Sequence, residues 1–141
     1  MGGFCCGGKG DKMKIVSEFQ GHSIELLAAW QGGDLLVEIR GGCRPHIGCI
    51  STCWFEKGEM KFEKLLLPEH RDDVIGDRFS KALARQLHTT VCVVCGIHYD
   101  GVSKDDIAEI VAETERMLFS LQRELCQCDS MPKRKEEKPE S

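Results

Sequence analysis

Leu35-Leu36-Val37-Glu38-Ile39-Arg40-Gly41-Gly42-Cys43-Arg44-Pro45-His46-Ile47-Gly48 is the stretch on which the fold turns. A strand-like run, Leu35 to Arg40, ends in two glycines, a proline and a histidine. A second strand-like run, Ile47 to Phe55, follows. A hairpin needs only a two-residue Asn-Gly or Gly-Gly turn, so Arg44, Pro45 and His46 exceed what reversing the chain requires. Glycines let a backbone adopt positive φ or approach a ligand, Pro45 stiffens the approach, and His46 can hydrogen-bond, ligate a metal or titrate near neutral pH. Read alone, this is a long polar loop with a solvated histidine. It gains weight from what falls at the same end of the expected fold.

Working outward, Met13 to Phe19 alternates as a strand and Gln20-Gly21-His22 turns the chain. Ser23 to Gln31 places Ile24, Leu26 and Ala28 on one face. Gly32-Gly33-Asp34 is the strongest hairpin signal, and it leads into Leu35. Beyond Phe55, Glu56 to Glu59 is a turn and Met60 to Leu67 a fifth strand, which makes a meander of five antiparallel strands. Pro68 to Asp73 reads as a helix entrance with acids suited to the helix dipole. From Val74, the positions Ile75, Phe79, Ala82, Leu83 and Leu87 follow the helical period. Thr90 to Tyr99 is the most apolar strand and belongs in the sheet interior or at a dimer interface. Ser103 with Asp106 three residues on is a capping-box signature, and Ile107 to Leu125 carries a continuous apolar stripe read as core. The expected fold is α+β, an antiparallel β-sheet meander of about six strands with two amphipathic helices. The expected organisation is a disordered Gly/Cys-rich head over residues 1–12, a single domain over 13–127 and a disordered charged tail over 128–141.

Composition narrows the function. A chain of 141 residues holds one domain. Its formal charge of −4 argues against nucleic acid, which requires a basic face. No apolar run approaches the roughly 20 residues of a membrane helix, and Met1 to Asp11 lacks the apolar segment of a signal peptide, so the expected location is cytoplasmic. Nine cysteines, an odd number, cannot close a disulfide framework, and reduced thiols are expected. Cys92-Val93-Val94-Cys95 has zinc-knuckle spacing but lies in a strand, where side chains three apart point to opposite faces and cannot share a metal.

If consecutive strands alternate in direction, the third strand ends at one rim of the sheet, called here the near rim. There the fourth strand begins beside His46, the first helix begins beside His70 and Arg71, the sixth strand ends with His98, and the second starts at His22. Four of five histidines, two arginines, a Gly-Gly pair and a helix N-terminus therefore share one edge. Free N–H groups at a helix N-terminus, a glycine-rich loop and arginines make an anion site. Neighbouring histidines can ligate a divalent metal or bond the phosphate and heterocycle of a nucleotide-like ligand. The candidate binding residues are Gly41, Gly42, Arg44, His46, His70, Arg71 and His98, with His46 and His70 the candidate metal ligands. His22 reads as a solvated rim residue. Asp72 and Asp73 could orient His70 or Arg71 or hold a metal, although capping is the commoner duty for acids there. No nucleophile, base and oxyanion constellation can be assembled from the spacing, so no catalytic residue is assigned.

Leu35 to Ile39 running into Gly41-Gly42, then Pro45-His46-Ile47-Gly48, His70-Arg71-Asp72-Asp73 ahead of an amphipathic helix, and Gly96-Ile97-His98 before the last helix together resemble the LpdD-like family. These are small subunits encoded with UbiD-type hydroxyarylic acid decarboxylases and regarded as chaperones for prenylated flavin mononucleotide (prenylated FMN). The resemblance covers Ile24 to Leu121, and the Gly-Gly-x-x-Pro-His-Ile-Gly block is its most specific part. It implies a proteasome-assembly-chaperone-like fold that tends to a homodimer. It also implies a non-catalytic protein that holds a phosphorylated flavin, with a divalent metal as a possible companion, and presents it to a UbiD-type decarboxylase. Family roles would fall first on His46 and His70, then on Gly41, Gly42 and Arg71. The alternative is an assembly chaperone or accessory subunit whose rim binds a protein and no cofactor.

Overall fold

The computed structural model describes residues 12–68 and 72–127. Its elements in chain order are β1 (Lys12–Phe19), β2 (His22–Gln31), β3 (Asp34–Gly42), β4 (Cys49–Glu56), β5 (Glu59–Leu66), α1 (Asp73–Leu87), β6 (Val91–His98) and α2 (Lys104–Gln127). The alternation read from the sequence sets which face of each strand is buried. Cross-strand register aligns Leu26, Ile39, Cys95 and Cys49 in one row and Ala28, Val37, Val93 and Ser51 in the next. All eight are buried, and both helices lie on this face. In α1, Ile75, Phe79 and Leu83 face the sheet; in α2, Thr114, Met117, Leu118, Leu121 and Leu125 do so. Each fully buried aliphatic or aromatic side chain in such a core contributes about 1.5–3 kcal/mol through removal from water. None of the described helices is long and apolar enough to cross a membrane.

The sheet departs from the expected antiparallel meander. Its strand order is β1-β2-β3-β6-β4-β5, with β3 and β6 parallel and the other neighbours antiparallel. The sheet is therefore mixed, and β3 and β4 are not neighbours. The physical reason is burial. β6 is the most apolar strand, and in the interior both its edges are paired and its Val91, Val93 and Cys95 are covered by helices. Because β6 runs parallel to β3 and antiparallel to β4, the ends of β3 and β6 and the start of β4 still share the near rim.

Three local features follow from chemistry visible in the sequence. The capping box at α2 forms reciprocally, with the Asp106 N–H donating to Ser103 Oγ at 3.0 Å and the Ser103 N–H to Asp106 Oδ2 at 3.1 Å. At the far rim α1 ends at His88, whose left-handed backbone (φ 54°) carries its N–H to the Ala84 carbonyl, and whose ring stacks on Phe55 at 4.4 Å. Cys92 and Cys95 diverge as expected: Cys95 is buried under the helices and Cys92 is half-exposed on the opposite face. Burial pushes the Cys49, Cys53 and Cys95 thiols up, which keeps them protonated and unreactive. The cysteines of the head, and Cys128, lie outside the described residues.

Candidate functional site

Gly41 and Gly42 close β3 rather than opening a loop. A Cβ on Gly41 would lie 2.8 Å from the Ser23 carbonyl oxygen of β2, and Gly42 has φ of +90° with its Cα packed against the His98 carbonyl. These glycines therefore admit the backbone of neighbouring strands. From there residues 43–48 wrap around the end of β6. The Cys43 N–H donates to the His98 carbonyl at 2.7 Å, and on the return the Gly48 N–H donates to the Cys95 carbonyl at 2.9 Å. Gly96 lies beneath this crossing, where a side chain would collide with the His46 carbonyl.

His46 is held from two sides. Its Nδ1 lies 3.1 Å from the Arg44 carbonyl, a partner that can only accept. Its Nε2 faces Asp72 Oδ2 at 3.3 Å. Asp72 is 6% exposed and precedes α1 without a side-chain capping bond. Its other oxygen accepts the Ile97 N–H at 3.1 Å. The acid expected to cap a helix instead ties that helix to β6 and orients His46. Gly48 makes room for it, since a Cβ there would overlap Asp72 Oδ2.

A second polar group lies beside the first, with the His46 and His98 rings 6.2 Å apart. His98 Nε2 is 2.8 Å from Asp100 Oδ1 and 3.0 Å from an Arg44 guanidinium nitrogen. One ring nitrogen cannot donate to the carboxylate and accept from the guanidinium at once, so this junction has two competing hydrogen-bond arrangements. The His98 hydrogen bond, aided by the nearby Arg44 charge, holds the Asp100 carboxyl below the usual range.

Behind these groups, between the starts of α1 and α2 and the end of β6, is a cavity of about 540 Å³. Val74, Ile75, Ile97, Val102, Ile107, Ile110 and Val111 line it, with Tyr99 alongside and Asp72 and His98 at its polar edge. Tyr99 donates its hydroxyl proton to the His22 carbonyl at 3.2 Å and so closes the far side. Val74 and Ile107 are 57% and 50% exposed, although both are large and apolar. The volume and the ratio of aliphatic wall to polar edge are those of a small-molecule site.

The structure brings Arg44, His46 and His98 together, with Gly41 and Gly42 as the backbone joints that permit it. His70 and Arg71 lie outside the described residues. His22 is exposed, as expected of a rim residue. Asp100 and the cavity wall were not expected as site residues, and for Asp72 an orienting or metal-holding role stood behind the commoner capping one. Ile107, Ile110 and Val111 belong to the stripe read as core; only from Thr114 onward is that stripe consistently covered. The start of α1 is less welcoming to an anion than its free N–H groups suggest, because Asp73 and Asp77 share Lys64 there at 2.9 and 3.0 Å. Among the described residues no group of three or more His, Cys, Asp or Glu is arranged to hold a metal ion. His46 and Asp72 offer two donors, and a third would have to come from elsewhere, His70 being the candidate.

Residues 18–126 match the family described as "Prenylated flavin chaperone LpdD-like domain". Protein LpdD of Lactiplantibacillus plantarum (strain ATCC BAA-793 / NCIMB 8826 / WCFS1) is 28% identical over 103 residues, covering 72% of this chain and 76% of its own. Among solved structures, a chain of a chaperone complex for yeast 20S proteasome assembly superposes with a TM-score of 0.57 at 12% identity, covering 82% of this chain and 97% of that one. This last likeness establishes the fold alone: a proteasome-assembly-chaperone-like α+β domain. With three-quarters of its length inside the family match, the chain belongs to the LpdD-like prenylated flavin chaperones, a family of non-catalytic proteins.

Proposed function

We propose that this protein is a carrier that holds prenylated FMN at the near rim and delivers it to a UbiD-type decarboxylase. The observation that carries the reading is the aliphatic cavity with Asp72 and His98 at its polar edge, Arg44 bonded to His98 and His46 to Asp72, in a chain of a prenylated flavin chaperone family. A flavin offers the complementary surface, one apolar ring edge and a polar side bearing carbonyls, ribityl hydroxyls and phosphate. Arg44, which contacts His98 at the cavity's edge, would take the phosphate or a ring carbonyl, together with Arg71. A divalent ion, if the ligand brings one, would be held by His46 and His70, with Asp72 as the acid beside them. The protein's part is to bind, orient and shield.

The carrier acts as a homodimer in this reading, supported by the sheet face away from the helices. There Leu27, Leu36, Cys92, Val94 and Ile50 are half-buried with no helix over them, and Leu65 is 56% exposed. Such a face suits sheet-on-sheet packing.

The test is native mass spectrometry with a visible absorption spectrum on protein co-expressed with a flavin prenyltransferase. A dimer retaining a flavin-sized adduct, lost in Arg44→Ala and His98→Ala, is expected. An adduct-free protein from cells with ample prenylated FMN overturns the carrier reading, and a partner protein bound at the same rim would then replace it.

A further inference from the structure

We infer that the cavity between α1, β6 and α2 is the part of the site that distinguishes a prenylated flavin from an unmodified one. This inference rests on the carrier reading and goes past it to specificity. Prenylation adds to the flavin an isoprenoid-derived ring whose new atoms are all carbon. An aliphatic pocket recognises such an addition because water leaves both surfaces.

The cavity wall is suited to that task and to little else. Seven of its lining residues are Val or Ile, β-branched side chains with restricted rotamers that present a stiff, unadaptable wall. Its polar members are confined to one side. Asp72 has its oxygens committed to the Ile97 N–H and to His46. The Tyr99 hydroxyl is committed to the His22 carbonyl. Neither has a proton left to donate to a ligand inside the cavity. Hydrogen-bonding capacity is concentrated at the mouth, where Arg44, His98 and Asp100 compete for one another and a ligand group could replace one member. A ligand entering with its hydrocarbon end inward and its polar end at Arg44 and His98 matches this division. Val74 and Ile107, lining residues that are largely exposed, offer apolar surface that the added ring would cover. Unmodified FMN can offer the cavity only its flat dimethylbenzene edge and lacks the additional carbons of the prenyl-derived ring.

The pocket therefore sets a preference that can be read directly. Gain or loss of a single methylene in an apolar pocket changes affinity by about 10-fold or more, so the larger prenyl-derived ring is expected to favour prenylated FMN over FMN by at least about tenfold. Anaerobic titrations of the full-length protein with each flavin, followed by flavin fluorescence, measure that ratio. Ile107→Trp fills the cavity from its exposed edge and should bring the ratio toward one. Val111→Phe, which approaches from the adjoining turn of α2, should do the same if the first variant is unstable. The melting temperature of each variant checks the fold. If wild-type protein binds both flavins equally, or if folded variants keep the wild-type ratio or lose both flavins in parallel, the cavity is not the discriminating element and the carrier reading survives. If wild-type protein binds neither flavin, the carrier reading itself falls, and this inference with it.

Discussion

Gly96→Ala is expected to dislodge the 43–48 connection while leaving the sheet paired. The new methyl would lie 1.6 Å from the His46 carbonyl oxygen, whereas Cβ contacts below 3.0 Å essentially do not occur. The connection must therefore lift by about 1.4 Å, because β6 is locked in the sheet interior and cannot yield in a close-packed core. Lifting it stretches the Gly48 N–H bond to the Cys95 carbonyl and the Cys43 N–H bond to the His98 carbonyl. Each such bond contributes about 1 kcal/mol net. Residual overpacking against β6 adds about 1 kcal/mol, for an expected loss of about 2–3 kcal/mol. With a urea m-value of about 1.5 kcal/mol/M, the unfolding midpoint should fall by about 1.3–2 M at unchanged m. His46 should separate from Asp72 in the folded protein, visible as a shift of its imidazole resonances. A midpoint within about 0.3 M of wild type, with the His46 resonances in place, would refute the claim that Gly96 exists to let the chain cross β6.

Asp72→Ala should cost about 1–3 kcal/mol in urea unfolding by leaving the Ile97 N–H without its acceptor, whereas Asp72→Asn, which keeps an acceptor oxygen, should lose less than half of that; equal losses would mean that charge rather than the hydrogen bond matters. Ser103→Ala should cost about 1 kcal/mol in thermal or urea unfolding by removing one arm of the α2 capping box, and a neutral result would show that α2 is held by packing alone. Hydrogen bonding from Ser17, then from Arg116, holds the Glu113 carboxyl below its usual value. A carboxylate whose folded pKa is depressed stabilises the fold above the unfolded value of 4.5, and that contribution is lost as pH falls through the folded pKa. Stability measured from pH 6 down to pH 3 should therefore decline less steeply in Ser17→Ala than in wild type, and parallel curves would remove Glu113 from the acid response.

How much of this was legible in the sequence depends on whether the deciding interaction is local. Strand faces, the helical stripes, the Ser103 capping box and the divergence of Cys92 and Cys95 follow from period and spacing, and each is present in the structure. The apolarity of β6 pointed to the sheet interior, but which strands flank it is set by pairing between residues more than fifty apart, such as Leu35 with Val91, and no local signal reports that. For Asp72 capping was the commoner duty, because it precedes a helix, with orienting His70 or Arg71 or holding a metal as alternatives. Its carboxylate instead crosses to Ile97 and His46, which is invisible until β6 lies beside the 43–48 connection. The cavity was hidden for a related reason, since Ile107 has the same spacing as Leu118 but lies where α2 begins beyond the end of the sheet, at the last residues of β6.

The excess in the Gly41 to Gly48 stretch was nonetheless the topological clue, because it measured the distance the chain had to travel. Adjacent strands lie about 4.8 Å apart and a two-residue turn spans that gap, whereas reaching the next strand but one requires roughly 9.6 Å and a path around whatever occupies the space between. Residues 43–48 have that length, and the glycines at 42, 48 and 96 are placed where the chain passes close to β6 and Asp72. The same crossing positions the site. Ends of parallel neighbouring strands are where an α/β sheet leaves a crevice, and β3 and β6 are the parallel pair in this sheet. The connection that must clear β6 carries Arg44 and His46 over that crevice, and the two helices that begin beside it supply the apolar wall. A shorter connection would have paired β3 with β4, displaced β6 and left no rim at which a polar edge meets an aliphatic cavity.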